Sequence, residues 1–286
     1  MKYIVLSLCS LAILSPFLIS CDSGESTAPV QNVDFEYVPA GFEINNLLTL
    51  VISLEGDPRS KTRLDGITKG LSDNHIEMTL LPAVNGYAYK GKYGIRGHGV
   101  QYLDADKGYT YEYTPDVLDR GLSAGELGNY LSHYEAAKRA RDNHDGITLV
   151  LEDDAVLSAN FEVKLNSLLA HAPEDWDAIY LHCFSERKDL CATKGFPVVN
   201  DRFVSLYHGV RRCIPGSLAY ILNPKGAAKV LHSMVPARTT TDDRMMDQLF
   251  SQKQGPFRVY CALPQLATPD GSDSVIDTIQ NRYGNN

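Results

Sequence analysis

Three consecutive acids, Glu152, Asp153 and Asp154, follow the apolar run LVL in the segment LVLEDDAVL, residues 149–157. Like charges in a row repel one another, and a carboxylate that enters a protein core loses hydration worth several kcal/mol. A helix cap, a solvated strand end or a divalent cation would each offset this cost. Because magnesium and manganese prefer oxygen ligands, this acidic triplet is a candidate metal site.

The triplet ends a predicted strand, and strands and helices alternate along the chain from about residue 46 onward. Residues 47–54 (LLTLVISL) form a continuous apolar run, which is typical of a strand covered on both faces. Pro58 suits the first turn of a helix that we expect to continue to about Leu71, and residues 75–84 (HIEMTLLPAV) predict a second strand. This order favours a parallel α/β sheet with right-handed crossovers. Ligands of such sheets bind outside the carboxyl ends of the strands, where the triplet would lie.

A well-specified helix precedes the strand that carries the triplet. Ser123 and Glu126 form the S-A-G-E pattern of a capping box, and we expect the helix to end near Arg141, before the turn DNHDG. Its predicted apolar face consists of Leu127, Tyr130, Leu131, Tyr134 and Ala137. His133 lies one position off this face, beside Ser132, and taken alone it is better explained as a structural histidine with satisfied hydrogen bonds.

Two further segments have less regular patterns. Residues 85–122 are rich in Gly and Tyr and lack clear periodicity, so they either shape a ligand pocket or form a divergent surface loop. Residues 216–222 (GSLAYIL) place small residues before a short strand, after which Asn223 and Pro224 open a helix. Trp176, the single tryptophan, is expected to pack in the core.

Length and charge restrict the class of protein. A chain of 286 residues suits one sizeable domain, or one domain with an appendage. The net charge of −8 argues against nonspecific nucleic-acid binding, which relies on basic surfaces, so we expect no nucleic-acid partner. The sequence also contains no nucleophile elbow, P-loop or dinucleotide-binding fingerprint.

The amino terminus predicts export and lipid anchoring. Residues 1–20 carry an early Lys and then an apolar run of signal-peptide type, which ends in LISC and resembles the bacterial lipobox. We predict a lipoprotein signal peptide over 1–20, lipidation at Cys21, a polar flexible linker over 21–45 and a folded domain over 46–286. The protein would then be held at a membrane by its lipid and face the periplasm or the cell exterior. The alternatives are an uncleaved membrane anchor, or a cytoplasmic chain with a wrongly assigned start.

Four cysteines fall in the predicted domain, namely Cys183, Cys191, Cys213 and Cys261. In an exported domain they could pair in three ways, and their spacings match no common zinc site. Cys183 and Cys191 are closest in sequence and form the first candidate pair, with buried free thiols as the alternative.

Six blocks of sequence, in order, resemble glycosyltransferase family 25, the family of bacterial lipooligosaccharide galactosyltransferases and collagen galactosyltransferases. Between about residues 48 and 270 the blocks are VISLEGDPRSKTRL, GELGNYLSHYEAAKRA, LVLEDDAVLSANF, DAIYLHCF, GSLAYILNPKGAAKVL and TDDRMMDQLF. The resemblance implies a single α/β domain of GT-A type, with a mostly parallel central sheet flanked by helices. It also implies transfer of a sugar from a nucleotide donor, typically UDP-galactose, with inversion of configuration.

The resemblance assigns roles to individual residues. The triplet stands where the family carries a DxD-like motif, whose carboxylates hold Mn²⁺ (or Mg²⁺) on the donor diphosphate and so assist the leaving group. Glu152 and Asp154 alternate along an extended backbone, so they are the expected metal ligands on a shared face, while Asp153 points elsewhere. The expected donor-binding residues are Leu54, Arg59, Arg63, Ser132, His133, Asp153, Gly216 and Ser217. Outside this context the two arginines would be solvated residues of a helix surface.

A second pair of acids, Asp242 and Asp243, lies in the last block. Inversion requires a base that takes the proton of the acceptor hydroxyl, and the resemblance places this block on the acceptor side, so either acid is a candidate catalytic base. Both also follow Thr241 at the start of a predicted helix, where acids cap the helix and interact favourably with its dipole. The two roles remain open, and one residue can perform each.

The leading hypothesis is a metal-dependent inverting hexosyltransferase that moves galactose or another sugar from a UDP-sugar to a glycan acceptor, in lipooligosaccharide or cell-surface glycan synthesis. The alternative is a lipid-anchored carbohydrate-binding protein on an inactive fold of this family. A phosphoesterase would need a further set of His and Asp ligands, which the sequence does not present. Export conflicts with the leading hypothesis, because bacterial members of the family act in the cytoplasm, where nucleotide sugars are made.

Overall fold

A computed structural model describes residues 47–89, 99–113, 121–144, 146–182, 198–200, 203–205, 216–241, 257–262 and 264–272. The described helices are α1 (Pro58–Asp73), α2 (Ala124–Asp142), α3 (Phe161–Ala170) and α4 (Pro224–Ser233), with a short 3-10 helix at Gly86–Tyr89. The strands are β1 (Leu48–Ser53), β2 (Thr79–Pro82), β3 (Gln101–Asp104), β4 (Tyr109–Tyr111), β5 (Thr148–Glu152), β6 (Ala155–Leu157), β7 (Ala178–Tyr180), β8 (Val198–Asn200), β9 (Phe203–Ser205), β10 (Ala219–Leu222), β11 (Val259–Ala262) and β12 (Ala267–Pro269).

A central sheet has the strand order β2-β1-β5-β10-β7-β11-β9-β8. β2, β1, β5, β7 and β11 run in one direction, and β10 is inserted antiparallel between β5 and β7. Beyond β11, β9 and β8 continue the sheet with antiparallel pairing. The strands β3 and β4 form a separate hairpin, and β6 pairs with β12. This mostly parallel sheet with flanking helices confirms the predicted α/β domain of GT-A type.

Alternate residues of the central strands contribute to two hydrophobic cores, one on each face of the sheet. Leu50 and Val150 pack in the core that includes α2 and α4, whereas Val51 and Leu149 pack in the core that includes α1 and α3. Because β1 and β5 are covered on both faces, their sequences are continuous apolar runs rather than alternating ones. Trp176 packs against the second of these cores, as the sequence predicted.

The helix starts follow the predicted capping chemistry. The Ser123 hydroxyl accepts a hydrogen bond from the backbone N–H of Glu126 at 3.2 Å, and the Glu126 carboxylate accepts one from the backbone N–H of Ser123 at 2.8 Å. At α4 the Asn223 side chain accepts from the N–H of Gly226 at 2.7 Å, and Pro224 occupies the first turn. Both predicted starts are confirmed.

One sequence-based boundary was wrong. The strand expected over 75–84 is limited to Thr79–Pro82. The segment 85–122, which has no clear periodicity in the sequence, contains the 3-10 helix and the hairpin β3–β4. Tyr109 and Tyr111 are buried at alternate positions of β4, but a period of two over three residues is too short to detect by pattern.

The loop after β2 lies directly on the first turns of α2. A Cβ atom at Gly128 would stand 2.5 Å from the Val84 carbonyl oxygen and 2.9 Å from the Gly86 nitrogen. A Cβ atom at Gly86 would overlap the carbonyl group of Ala124. The helix and the loop are therefore in backbone contact, which only glycine permits at these two positions.

Several predictions concern residues outside the described ranges. The signal peptide, Cys21 and the linker lie there and stay predictions, and no helix in the described part of the chain is long and apolar enough to span a membrane. Cys183, Cys191 and Cys213 are also outside these ranges. Cys261, on β11, is disulfide-bonded, and its partner is outside them too, so the Cys183–Cys191 pairing stays a prediction.

Candidate active site

The carboxyl ends of β1, β2 and β5 meet at one edge of the sheet, because these neighbouring strands are parallel. They bring Ser53 and Leu54, the loop 83–87 and the acidic triplet to a common cleft, and the start of α2 forms the facing wall. The triplet therefore borders a cleft at the carboxyl ends of parallel strands, the position in which α/β proteins bind ligands.

All three acids of the triplet line this cleft. The extended backbone expected across the triplet was wrong, because β5 ends at Glu152 and the chain then turns toward β6. The carbonyl group of Asp154 accepts a hydrogen bond from the backbone N–H of Asp270 at 2.9 Å. The turn is thus held by the segment that follows β12.

Glu152 is held by three donors on one of its two carboxylate oxygens. Its Oε1 accepts hydrogen bonds from Ser217 Oγ at 2.6 Å, His133 Nε2 at 3.1 Å and Asn129 Nδ2 at 3.3 Å. Burial by itself would raise the pKa of Glu152. The hydrogen bond and charge of His133 oppose this rise, as do the hydrogen bonds from Ser217 and Asn129. The pKa of Glu152 is lowered as a result. Glu152 is therefore an anchored, ionised carboxylate.

His133 lies beneath Glu152 and is 1% exposed. Its Nδ1 is 2.8 Å from the Tyr220 hydroxyl on β10. Nε2–H donates to Glu152, because a carboxylate only accepts hydrogen bonds, and the second ring nitrogen is bonded to the Tyr220 hydroxyl. The histidine predicted to bind the donor thus contacts the acidic triplet instead of lining the cleft.

Asp153 is buried, at 9% exposure. Its Oδ2 accepts a hydrogen bond from the Ser53 hydroxyl at 2.7 Å. Burial raises the pKa of Asp153, while the bonds from Ser53 and Ser60 and the charge of Arg63 oppose this rise. These contacts join the end of β1, the start of α1 and the triplet.

Asp154 is the least satisfied acid of the cleft. Its Oδ1 is buried and has no hydrogen-bond partner within the described structure. Burial and the charge of Glu152 raise the pKa of Asp154 to about 7, with Arg63 opposing and Asp153 and Asp270 adding to the rise. An uncompensated carboxylate of this kind is a candidate for function, because a cationic ligand would lower its free energy.

The two arginines predicted near the donor differ in position. Arg63 lines the cleft with a side chain that is 7% exposed. It donates to the Ser272 hydroxyl at 3.1 Å and lies 3.6 Å from the Asp270 carboxylate. Arg59 forms an ion pair with Asp57 at 3.3 Å, is 42% exposed and does not line the cleft.

The other predicted donor residues also lie at this edge of the sheet. Leu54 and Ser132 line the cleft. The Ser132 hydroxyl donates to the Gly128 carbonyl at 2.7 Å and accepts from the Val84 N–H at 2.8 Å, so it ties the loop to α2. Gly216 and Ser217 precede the reversed strand β10 and therefore reach the same edge. Of the described residues, a Cβ atom at Gly216 would meet the His182 ring alone, at 3.6 Å.

The candidate bases Asp242 and Asp243 lie outside the described residues, but Thr241 directly precedes them. The Thr241 hydroxyl donates to Asn129 Oδ1 at 2.6 Å. Asn129 also donates to Glu152. Its side chain therefore connects Thr241, the residue before Asp242, with the acidic triplet.

Sequence reasoning missed three polar residues of this region. Asn129 is four positions before His133, and this spacing of two polar groups on a buried helix face was the available signal. His182 follows β7, with Nδ1 at 3.3 Å from the Ala267 carbonyl, and burial lowers its pKa. Asp270 forms an ion pair with Arg63, although the two residues are far apart in sequence. No local sequence pattern indicates that contact.

The described residues contain no cluster of three or more His, Cys, Asp or Glu side chains arranged to hold a metal ion. The acids nevertheless fit a cation that a ligand helps to bind. Asp154 presents an oxygen without a partner, and the three donors to Glu152 all use Oε1. Magnesium is often held by one or two carboxylates together with substrate phosphates and water, so two such acids suffice for a shared site.

A protein-family model described as glycosyltransferase family 25 (LPS biosynthesis protein) matches residues 47–246. The matched segment extends from β1 to beyond α4 and includes the acidic triplet, Asn129, His133 and Ser217. It therefore covers most of the elements that build the cleft.

Some relatives are named as galactosyltransferases, and others are named as inactive members of the family. Procollagen galactosyltransferase 2 of Homo sapiens is 32% identical over 126 residues, which are 43% of this chain and 19% of that protein. Inactive glycosyltransferase 25 family member 3 of Homo sapiens is 29% identical over 210 residues, 71% of this chain and 31% of that protein. Procollagen galactosyltransferase 1 of Danio rerio is 24% identical over 227 residues, 74% of this chain and 35% of that protein. The chain thus spans between 19% and 35% of the length of these relatives.

Proposed function

Because the chain belongs to glycosyltransferase family 25, we propose that it transfers a hexose from a UDP-sugar to a hydroxyl group of a glycan acceptor, with inversion at the anomeric carbon. Galactose is the first candidate sugar, since two of the relatives above are named as galactosyltransferases. The observation that carries the proposal is the buried, partnerless oxygen of Asp154 beside an anchored Glu152 in the cleft. A nucleotide diphosphate with its cation would provide the missing partner.

The proposed cofactor is Mn²⁺ (or Mg²⁺), with Asp154 and the second oxygen of Glu152 as protein ligands. When bound, it would act as a Lewis acid that neutralises charge on the departing UDP. The chain itself fixes these carboxylates in advance, since His133, Ser217 and Asn129 orient Glu152. Such pre-organisation lowers the cost of reorganising the site during reaction.

The donor is proposed to extend from the triplet toward the end of β1. Leu54 and the loop 83–87 line the cleft there, opposite the start of α2, and would border the nucleoside. Among the described residues that line this cleft, Arg63 alone is basic. It lies close enough to the triplet to neutralise phosphate charge as well as the carboxylates around it.

Transfer is proposed as a single displacement. The acceptor oxygen attacks the anomeric carbon, its bond to carbon forms as the bond from carbon to the phosphate oxygen breaks, and UDP leaves with the bonding electron pair. The acceptor proton passes to Asp242 or Asp243 as base. The link from Thr241 through Asn129 to Glu152 supports this assignment, because it brings the chain that leads to both acids close to the triplet.

Calorimetric titration of the purified protein with UDP, with and without Mn²⁺, tests this proposal. We expect Mn²⁺-dependent binding that Arg63→Met weakens by about 10- to 100-fold, the value of a charge-assisted hydrogen bond. Arg59→Met is the matched control, since Arg59 lies on the same helix but outside the cleft, and we expect it to bind UDP as the wild type does. A folded protein that binds no UDP in either condition would contradict the proposal.

A carbohydrate-binding protein without transfer activity is the second candidate. It is favoured by the likeness to inactive glycosyltransferase 25 family member 3, which covers 71% of the chain. This candidate predicts glycan binding that needs neither nucleotide nor metal. The same titration, repeated with a panel of free oligosaccharides, distinguishes the two functions.

We also propose lipidation at Cys21, which would hold the protein at a membrane and expose the cleft to the periplasm or the cell exterior. In that location the UDP-sugar would have to be supplied from the compartment that makes it. Mass spectrometry of the mature amino terminus is expected to find diacylglycerol on Cys21. An unmodified start at Met1 would contradict the anchor and favour a cytoplasmic protein.

A further inference from the structure

The guanidinium group of Arg63 is held by a turn that follows β12, residues 270–272. Arg63 Nε donates to the Ser272 hydroxyl at 3.1 Å, and Arg63 Nη2 donates to the same oxygen. The Asp270 carboxylate lies 3.6 Å from Arg63 Nε. Arg63 is carried by α1, so its side chain is fixed at both ends, by its own helix and by a segment more than 200 positions away, as the separation of 209 between Arg63 and Ser272 shows.

Hydrogen bonds within the 270–272 turn decide how the Ser272 hydroxyl is directed. Asp270 Oδ1 accepts from the backbone N–H of Ser272 at 2.8 Å and from its hydroxyl at 2.6 Å. A serine hydroxyl has one proton to donate and two lone pairs with which to accept. Because the proton is donated to Asp270, the two lone pairs are left for the two N–H groups of Arg63. An alanine at position 272 would offer Arg63 no acceptor.

The 270–272 turn is also tied to the acidic triplet through its backbone. The N–H of Asp270 donates to the Asp154 carbonyl at 2.9 Å. Gly271 has a φ of 77°, in the left-handed region that glycine adopts without a steric penalty. A Cβ atom at Gly271 would meet nothing within 4 Å, so the conformation of the backbone, rather than lack of space, explains this glycine. The turn therefore connects the triplet with the guanidinium group of Arg63.

We propose that Ser272 is a positioning residue for donor binding, which holds the Arg63 guanidinium group beside the acidic triplet, where the donor diphosphate would meet it. This inference rests on the proposed function. Ser272 is not among the described residues that line the cleft, so it acts through Arg63. A long side chain that is already ordered loses less conformational entropy when a ligand binds than a mobile one does.

The geometry favours positioning of Arg63 over competition with the donor. If the turn competed with phosphate for Arg63, loss of the Ser272 hydroxyl would strengthen UDP binding. The group that accepts both hydrogen bonds from Arg63 is a neutral hydroxyl, however, and the Asp270 carboxylate is 3.6 Å away. This distance is longer than the roughly 2.8 Å of a charge-assisted hydrogen bond. A phosphate group can therefore bind Arg63 without displacing a tightly bonded carboxylate.

Ser272→Ala tests the inference, by calorimetric titration of the protein with UDP in the presence of Mn²⁺. We expect the Kd for UDP to rise by about 3- to 10-fold, because an arginine that is no longer held must be ordered when UDP binds. Ser272 is exposed, so the Tm should stay within about 2 °C of the wild type. Ser272→Thr keeps the hydroxyl and should bind UDP within about twofold of the wild type. Ser72→Ala, at an exposed serine of α1, is the matched control and should not change UDP binding.

Two further variants show whether the effect passes through Arg63. In an Arg63→Met background, Ser272→Ala should cause no additional loss of UDP affinity, because the residue that it positions is already absent. Gly271→Val keeps the Ser272 hydroxyl but places a β-branched residue at positive φ, which disfavours the turn. We expect it to weaken UDP binding about as much as Ser272→Ala does.

The possible failures are distinguishable. Equal UDP affinity in Ser272→Ala and the wild type, with weaker binding in Arg63→Met, would overturn this inference and leave the proposed function intact. Tighter binding by Ser272→Ala would show that the turn competes with the donor. An additional loss in the Arg63→Met background, or no recovery in Ser272→Thr, would mean that Ser272 does not act through Arg63. A folded wild-type protein that binds no UDP, with or without Mn²⁺, would overturn the proposed function and this inference with it.

Discussion

Replacing Asp154 with asparagine is expected to abolish sugar transfer, by about a thousandfold or more, and at the same time to stabilise the folded protein. The loss of activity follows because the carboxylate of Asp154, whose Oδ1 has no partner in the described structure, is the proposed site at which positive charge would meet the donor diphosphate. The gain in stability follows because an ionised carboxylate at this position is costly, which raises its pKa to about 7. A residue with only a structural role would show a loss of both properties.

The gain in stability should depend on pH in a defined way. The ordinary pKa of an aspartate carboxyl group is 3.8, and the folded protein raises the pKa of Asp154 to about 7. Between these values the folded state holds a proton that the unfolded chain releases, so the stability of the wild type falls as pH rises and is lowest above about pH 7. The variant has no carboxyl group that titrates at this position, so its gain in stability over the wild type is absent near pH 4 and complete by about pH 8.

Thermal unfolding at several pH values, with UDP release as the activity assay, measures both effects. Each pKa unit corresponds to about 1.4 kcal/mol; with a discount for partial exposure, we expect the Tm to rise by about 4–10 °C at pH 8. Asp65→Asn is the control, since that carboxylate is 65% exposed and pairs with Lys61. An Asp154→Asn protein that is active, or less stable than the wild type at pH 8, would contradict the proposed role.

Gly128→Ala is expected to destabilise the protein by about 3 kcal/mol or more and to open the wall of the cleft. In an isolated helix alanine would be favoured over glycine by about 0.5–1 kcal/mol. Here the added Cβ would lie 2.5 Å from the Val84 carbonyl oxygen and 2.9 Å from the Gly86 nitrogen. Because both neighbours are backbone atoms, the loop or the helix must move, and overpacking of this kind costs more than the helix gains.

Gly66→Ala provides a control with the opposite expected sign. Gly66 is an exposed residue of α1, and a Cβ atom there meets nothing within 4 Å. We expect this variant to unfold at a Tm about 1–4 °C above the wild type, and Gly128→Ala to unfold at least about 6 °C below it. Similar Tm values for the two variants would mean that the loop adapts to α2 without cost. UDP titration of Gly128→Ala then reports whether the cleft survives.

The elements that position the site were largely predictable from local sequence. The apolar run of β1, the capping box at Ser123 and the Asn223-Pro224 start of α4 each depend on neighbouring residues, and all three were confirmed. The triplet was placed correctly at the end of a strand for the same reason. What failed was the alternation beyond Glu152, because it assumed a strand that the structure ends at that residue.

The contacts within the site were not predictable, because they join residues that are distant in sequence. Glu152 is 65 positions from Ser217, and Asn129 is 112 positions from Thr241. No periodicity links such pairs, and only the fold brings them together. His133 illustrates the difference, since the sequence indicated a satisfied histidine, the resemblance suggested a donor ligand, and the structure shows a buried contact to Glu152.

The reversed strand β10 has a consequence for how the protein is made. On the ribosome β1 and β5 emerge first, and β7 follows, yet the strand that must lie between β5 and β7 is synthesised later, at residues 219–222. Until it arrives, β5 has an unpaired apolar edge, which invites association with other chains. The same late insertion delivers Ser217 to Glu152. A nascent chain therefore gains the bond from Ser217 to Glu152 only when β10 inserts between β5 and β7. A chain that terminates before β10 would be prone to aggregation and would lack this contact.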